Sequence, residues 1–242
     1  MNTTTNTSRD PDRGKPWRIK VPWLFMLAAL PASVSVEAVM ITLLERVASR
    51  MPNILQEAVI QFMGLAVILV LFAAIHPIGK LPAKLGIGFP RLRDIGYVVL
   101  GLCIIYPWQI ASTIYWEKFM RVCNLSGEPY QDLIVECSKA SPMHFLTMLA
   151  VAGVLIPIVE EVAFRRVLYG LMRPFGSLPA ALATAVIFSA VHGFLSGFPA
   201  LFGLGLVLQW QYVQSKNLLT SIATHMIFNF IALTLTFLLG LN

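Results

Sequence analysis

Two adjacent carboxylates follow an apolar run in the middle of the chain. Glu160 and Glu161 come directly after the stretch Phe145–Val159, and Arg165 follows them. On an α-helix, Glu161 and Arg165 are four residues apart and share a face, so they can form an ion pair. Glu160 points about 100° away from that pair and is left available for other work. We therefore expect Glu161 to pair with Arg165, and the partly buried Glu160 to act as a general base.

Two imidazoles and an amide come from later apolar stretches. His192 follows Phe188 by one helical turn, and His225 and Asn229 are four apart on one face. A single His on an apolar helix is more often a core residue than a catalytic one, but three stretches presenting such groups favour a shared site. A carboxylate with two imidazoles and an amide supplies a base for water and donors for a developing oxyanion. These groups predict a peptide hydrolase.

The composition indicates where such a site would lie. Of 242 residues, 57% are hydrophobic and 12% are charged, against about a quarter charged in ordinary soluble domains. The mean hydropathy of +0.74 excludes both a soluble cytosolic enzyme and a disordered chain. The net charge of +6 comes from basic residues between apolar stretches, where they orient a membrane protein. The expected environment is the lipid bilayer of the cell membrane, and no nucleic-acid partner is expected.

The apolar stretches predict the fold. A helix needs about 20 apolar residues to cross a hydrocarbon core of about 30 Å. We predict an all-α bundle of about seven transmembrane helices, in a single integral-membrane domain over residues 21–242. Residues 1–20 are expected to form a disordered cytoplasmic tail. The seven stretches are Val21–Leu44, Leu55–Ile75, Ile95–Trp116, Met143–Leu171, Leu178–Phe194, Phe198–Val213 and Leu218–Leu239.

The distribution of Lys and Arg predicts the orientation. A cytoplasmic N-terminus places 13 of these residues inside and 5 outside, as the positive-inside rule favours. The site groups then lie about 10–21 Å above the cytoplasmic boundary at 1.5 Å per residue. They can meet in a pocket between the fourth, fifth and seventh stretches that opens toward the cytoplasm. The outer loop carries Cys123 and Cys137, for which a disulfide and two thiols are both open alternatives.

Several protease classes are disfavoured by the sequence. A helix-borne H-E-x-x-H zinc motif and a G-x-S-x-G nucleophile elbow are both absent. The chain also has no Gly-Asp pair of the kind that intramembrane aspartyl proteases use.

Three short motifs together resemble one family. The segment Glu160–Arg165 resembles the E-E-x-x-x-R signature of the CPBP family, the CAAX protease and bacteriocin-processing membrane proteins. Phe188–His192 resembles its F-x-x-x-H motif and His225–Asn229 its H-x-x-x-N motif. Each motif alone is weak, but the three occur in the family's order. The resemblance places the catalytic core at about residues 143–240.

The resemblance implies an intramembrane endopeptidase acting on a membrane-associated or membrane-embedded peptide or protein, as in CAAX processing and Abi-type relatives. It implies that Glu160 and His192 activate the attacking water, while His225 and Asn229 stabilise the oxyanion. Glu161 and Arg165 would position these groups.

Cofactor and function leave alternatives open. Carboxylate and His ligands suit zinc, so zinc is an alternative, but a metal-free, glutamate-dependent reaction without cofactor is favoured. A non-catalytic membrane adaptor or a bacteriocin self-immunity protein could use the same scaffold. A proton-coupled transporter is a third hypothesis, disfavoured because the two halves of the chain show no internal repeat. Substrate and oligomeric state are not predicted.

Overall fold

The described part of the chain is helical. The computed structural model describes residues 86–240, apart from residues 126, 128–136 and 138, and these contain no β-strand. The all-α prediction is confirmed for these residues. The tail of residues 1–20 and the first two predicted spans lie outside the described residues. The helices are α1 (Leu92–Val122), α2 (Pro142–Phe175), α3 (Ser177–Val191), α4 (Phe198–Ser215) and α5 (Leu218–Leu239).

Three of these helices, α1, α2 and α5, are long and apolar enough to cross a membrane. This agrees with a membrane protein. Helix α3 has 15 residues, which corresponds to a length of about 22 Å and falls short of the roughly 30 Å hydrocarbon core. The predicted number of about seven spans is therefore not established by the described residues.

Helix α2 contains two π-helical turns. A π-helical turn over Val151–Leu155 and another over Val162–Leu168 enclose a short α-helical segment, Ile156–Glu161. The sequence predicted a regular helix here. Pro157 lies in the first turn of the short segment, and its missing N–H prevents a regular hydrogen-bond ladder. Single π-turns often occur at functional sites, and here they flank the two adjacent carboxylates.

Local signals set the end of α3, which carries His192, and the start of α5, which carries His225. Helix α3 ends at Val191, three residues before the predicted Phe194, because Gly193 adopts a left-handed conformation with φ of 63°. His192 therefore lies at the helix terminus. Helix α5 begins at Leu218, as predicted, and Asn217 caps it by accepting the N–H of Leu219.

The two cysteines of the predicted outer loop have different surroundings. Cys123 follows the end of α1 and is exposed, whereas Cys137 is buried. The Cys137 thiol lies 3.4 Å from the carbonyl oxygen of Leu233 in α5. This geometry favours the alternative without a disulfide.

Helix α4 is at the centre of the described bundle and contacts α1, α3 and α5. One close approach of α4 to α1 is at Gly203, where an added Cβ would overlap the indole of Trp108. That indole N–H donates to the Pro199 carbonyl at 2.8 Å. A side chain at Gly203 would therefore displace both the ring and its hydrogen bond.

The Gly203→Ala variant is expected to unfold at a lower temperature, because overpacking costs about 1–3 kcal/mol. Thermal unfolding of the detergent-solubilised protein measures the effect. Gly96→Ala in α1 is the matched control, since a Cβ there meets no atom within 4 Å. Equal melting temperatures for the two variants would contradict the close packing of α1 on α4.

Candidate active site

Glu160 in α2 faces an imidazole from each of two other helices. Its Oε1 lies 3.7 Å from Nε2 of His192, which follows α3, and its Oε2 lies 3.6 Å from Nε2 of His225 in α5. The structure thus brings these three groups together from the fourth, fifth and seventh stretches. The two distances exceed direct hydrogen bonds, and Glu160 Oε2 is buried without a hydrogen-bond partner among the described residues.

The predicted ion pair between Glu161 and Arg165 is confirmed. Arg165 Nε donates to Glu161 Oε2 at 3.0 Å, and the Nη2 group donates to Oε1 at 3.2 Å. Both side chains are fully buried. A buried pair with this two-point geometry offsets part of the large cost of taking two charges out of water.

Glu161 has a second partner that the sequence did not predict. Its Oε1 also lies 3.2 Å from Nδ1 of His225. The two residues are 64 positions apart, and the contact depends on how α5 packs against α2, for which spacing gives no signal. Glu161 thus links Arg165 on its own helix to an imidazole on another.

The hydrogen bonds at Nδ1 determine what the two imidazoles present to Glu160. His192 Nδ1 lies 2.6 Å from the carbonyl oxygen of Phe188. A carbonyl only accepts, so Nδ1 carries the hydrogen and the neutral ring has its lone pair on Nε2. The Glu161 carboxylate assigns the same tautomer to His225. The space beside Glu160 is therefore lined by acceptors, which suits a water molecule with two O–H groups or a shared proton.

Phe188 supports the site with its backbone and its ring. Its ring centroid lies 4.8 Å from that of His192 and 5.0 Å from the Arg165 guanidinium carbon, within the range of a cation–π contact. A sequence signal for the backbone role does exist. Because Gly193 favours a helix end, His192 lies at the terminus of α3, where a side chain can hydrogen-bond a carbonyl of the last turn.

Exposure differs across the site. The side chains of Glu160 and His192 are 14% and 20% exposed, whereas that of His225 is 3% exposed. The Glu160–His192 side is therefore the more accessible side of the group. Glu161 and Arg165 lie behind it, fully buried.

Asn229 lies one turn beyond His225 on α5, and its hydrogen bond runs to the backbone of α2. Its Nδ2 donates to the carbonyl oxygen of Ala152 at 2.8 Å. Sequence reasoning grouped Asn229 with His225 and did not predict this contact. One amide N–H is used in this way, and the second remains for another acceptor.

The described residues were also compared with the requirements of zinc. A protein zinc site takes three or more His, Cys or carboxylate ligands at about 2.0–2.3 Å. Within the described ranges, no group of three or more such side chains has the arrangement to hold a metal ion. Whether the site takes zinc or works without a metal therefore stays a prediction.

The part of the chain that carries these residues matches a known protein family. Residues 142–231 match the Rce1-like family model, described as type II CAAX prenyl endopeptidase Rce1-like. That range contains all six predicted site residues: Glu160, Glu161, Arg165, His192, His225 and Asn229. The resemblance to CAAX proteases predicted from the three motifs is confirmed.

A relative from a bacterium shows the same likeness over a longer range. The membrane-embedded CAAX protease MroQ of Staphylococcus aureus (strain USA300) is 25% identical over 159 residues. The match covers 62% of this chain and 62% of the relative, so the chain matches about three fifths of the relative's length. No solved structure matches this chain. Both similarities support a membrane protein that resembles proteases.

Proposed function

We propose that this protein is an intramembrane endopeptidase that hydrolyses a peptide bond of a membrane-associated or membrane-embedded substrate. The observation that carries the proposal is the Glu160 carboxylate facing the Nε2 atoms of His192 and His225 within 3.7 Å. The family match over residues 142–231 supports it, because that match includes all of these groups.

Water activation is assigned to the more exposed side of the site. A water molecule beside Glu160 donates one O–H to its carboxylate and the other to Nε2 of His192. As the water oxygen bonds to the carbonyl carbon of the substrate, its proton passes to Glu160 and the carbonyl π electrons move to oxygen. When the intermediate collapses, the C–N bond breaks and Glu160 returns the proton to the leaving nitrogen.

Stabilisation of the oxyanion is assigned to α5. His225 can donate from Nε2 only as an imidazolium, and the Glu161 carboxylate at Nδ1 stabilises that charge, as the acidic residue does in a catalytic triad. The second amide N–H of Asn229 is the other proposed donor. Glu161 and Arg165 act as positioning residues, because their contacts are with His225 and with each other.

The names of the matching family and of the relative support a proposed substrate class. The matching family and MroQ are both named for CAAX processing, so we propose a CAAX-like substrate, with a peptide chain held at the membrane.

The proposed reaction uses no metal and no cofactor. Activity should survive prolonged treatment with EDTA or 1,10-phenanthroline, because Glu160 and His192 supply the base chemistry. Cleavage by the purified protein before and after chelation, together with its metal content, measures this. A large loss of activity that returns on adding zinc would overturn the metal-free proposal.

The proposed orientation has the N-terminus in the cytoplasm and the pocket open toward it. The excess of Lys and Arg in the predicted inner loops is the support for this orientation. Those loops meet at one end of the bundle, where Gly88 and Asn217 exchange two hydrogen bonds, an arrangement common to both orientations. At the opposite end, the Trp116 indole donates to the carbonyl of Leu195. Labelling of Cys123 by a membrane-impermeant maleimide in intact cells is expected, and protection of Cys123 until lysis would contradict this orientation.

The test of the function compares peptide termini in membranes from cells that express the wild-type protein or the Glu160→Gln variant at equal levels. New termini that appear only with the wild type would establish proteolysis and identify the substrate. Identical termini, with both proteins inserted and the substrates expressed, would favour the adaptor or immunity alternative and contradict the proposal.

A further inference from the structure

We infer that Asn229 is a positioning residue, which pairs a backbone carbonyl that α2 leaves open and thereby fixes the segment carrying Glu160 against α5. The effect on catalysis rests on the proposed function. The hydrogen bond itself can be tested without it.

The Ala152 carbonyl has lost both of its usual helical donors. In an α-helix its donor would be the N–H of Ile156, but that group donates to Val151 in the π-helical turn. In π-helical register the donor would be residue 157, which is proline and has no N–H. The amide of Asn229 takes the vacant place at 2.8 Å.

The surroundings of the Ala152 carbonyl increase the free-energy cost of leaving it unpaired. Ala152 is 1% exposed and lies in a helix that is long and apolar enough to cross the membrane. An unpaired carbonyl inside hydrocarbon is costly because no water is present to replace the missing donor. The Asn229 amide therefore stabilises a turn in which α2 itself offers no donor for the Ala152 carbonyl.

Packing next to this bond fixes the same register. Phe230, the next residue of α5, lies against Gly153, the next residue of α2. A Cβ at Gly153 would be 2.9 Å from Cε2 of the Phe230 ring, so a side chain there would force the ring to shift. The amide bond and the aromatic contact act at one level of the α2–α5 interface.

The two helices are thus joined at two levels on either side of Glu160. One is the Asn229–Ala152 hydrogen bond, and the other is the contact of His225 with Glu161. The α-helical segment Ile156–Glu161 ends at the second of these points, so Glu160 lies between them. Loss of the first contact frees the π-helical turn to rewind, which would move the Glu160 carboxylate relative to Nε2 of His225.

A double-mutant cycle tests the inference. Asn229→Ala should lower the melting temperature and reduce kcat with little change in KM, at temperatures where the variant is fully folded. Pro157→Ala restores an N–H that can pair the open carbonyl. In that background, Asn229→Ala should lower the melting temperature much less than it does alone. The kcat of the double variant should be about tenfold higher than that of Asn229→Ala alone. Any loss that remains belongs to the second amide N–H.

Pro107→Ala is the matched control. Pro107 also lies inside a long helix, α1, but an N–H at that position cannot pair the Ala152 carbonyl in α2. It should rescue neither quantity. Strict additivity of Asn229→Ala and Pro157→Ala in melting temperature would overturn the inference. Additivity in kcat alone would overturn the positioning role and leave the proposed protease function intact.

A second variant keeps the inference testable if Pro157→Ala prevents insertion. Asn229→Leu retains the approximate side-chain volume but cannot donate. It should unfold at a lower temperature, as Asn229→Ala does. A wild-type melting temperature for Asn229→Leu would contradict a stabilising bond to Ala152, whether or not the protein cleaves a substrate.

Discussion

Replacing Glu160 by Gln is expected to lower kcat for peptide hydrolysis by about two to four orders of magnitude, the usual contribution of a general base. The amide keeps the size of the side chain but cannot take a proton from water. The fold should be preserved, because Glu160 forms no direct hydrogen bond with the described residues and is partly exposed. Cleavage of an identified substrate under single-turnover conditions measures the chemical step.

Glu117→Gln provides the matched control for this substitution. Glu117 lies in α1, is about half exposed, and pairs with Arg121 at 3.7 Å. It should leave kcat unchanged. A Glu160→Gln protein that is inserted and cleaves within a few fold of wild type would exclude Glu160 as the base.

Replacing Arg165 by Met should produce the largest loss of stability, about 3–5 kcal/mol, as expected when one partner of a buried ion pair is removed. The Glu161 carboxylate would remain fully buried without its guanidinium, and the contact of Arg165 with the Phe188 ring would also be lost. Equilibrium unfolding in mixed micelles measures the free energy of unfolding.

The double variant Glu161→Gln/Arg165→Met separates charge from packing. It should be more stable than Arg165→Met alone, because no buried charge is left without a partner. Arg121→Met is the surface control, since its ion pair with Glu117 is exposed and exposed pairs contribute little. Equal unfolding free energies for Arg165→Met and Arg121→Met would contradict a tightly coupled buried pair.

The helices were predictable because apolar length determines them. The predicted bounds Leu218–Leu239 agree with α5, and Met143–Leu171 lies within α2. The π-helical turns were not predicted, although Pro157 marks one of them. A proline shows where a hydrogen bond is missing, but whether the helix kinks or widens there depends on the helix packed against it.

The members of the candidate site were predictable from three motifs, and their connections were only partly so. Spacing within one helix predicted the Glu161–Arg165 pair, because a helix fixes which residues share a face. The contacts of Glu161 with His225 and of Asn229 with Ala152 cross between helices. They depend on the rotation and register of α5 against α2, which a single sequence does not determine. The assignment of catalytic roles remains a prediction.

The short helix α3 has a consequence for the surrounding lipid. A 15-residue helix is several ångströms shorter than the bilayer, and such hydrophobic mismatch costs fractions of a kcal/mol per Å. If α3 crosses the bilayer, the lipid layer beside it must thin to match this length, so that polar headgroups come closer to the level of His192. The thickness of the host membrane then affects the distance between the lipid headgroup region and Glu160. A membrane-bound substrate would have to cross that distance to reach the proposed site.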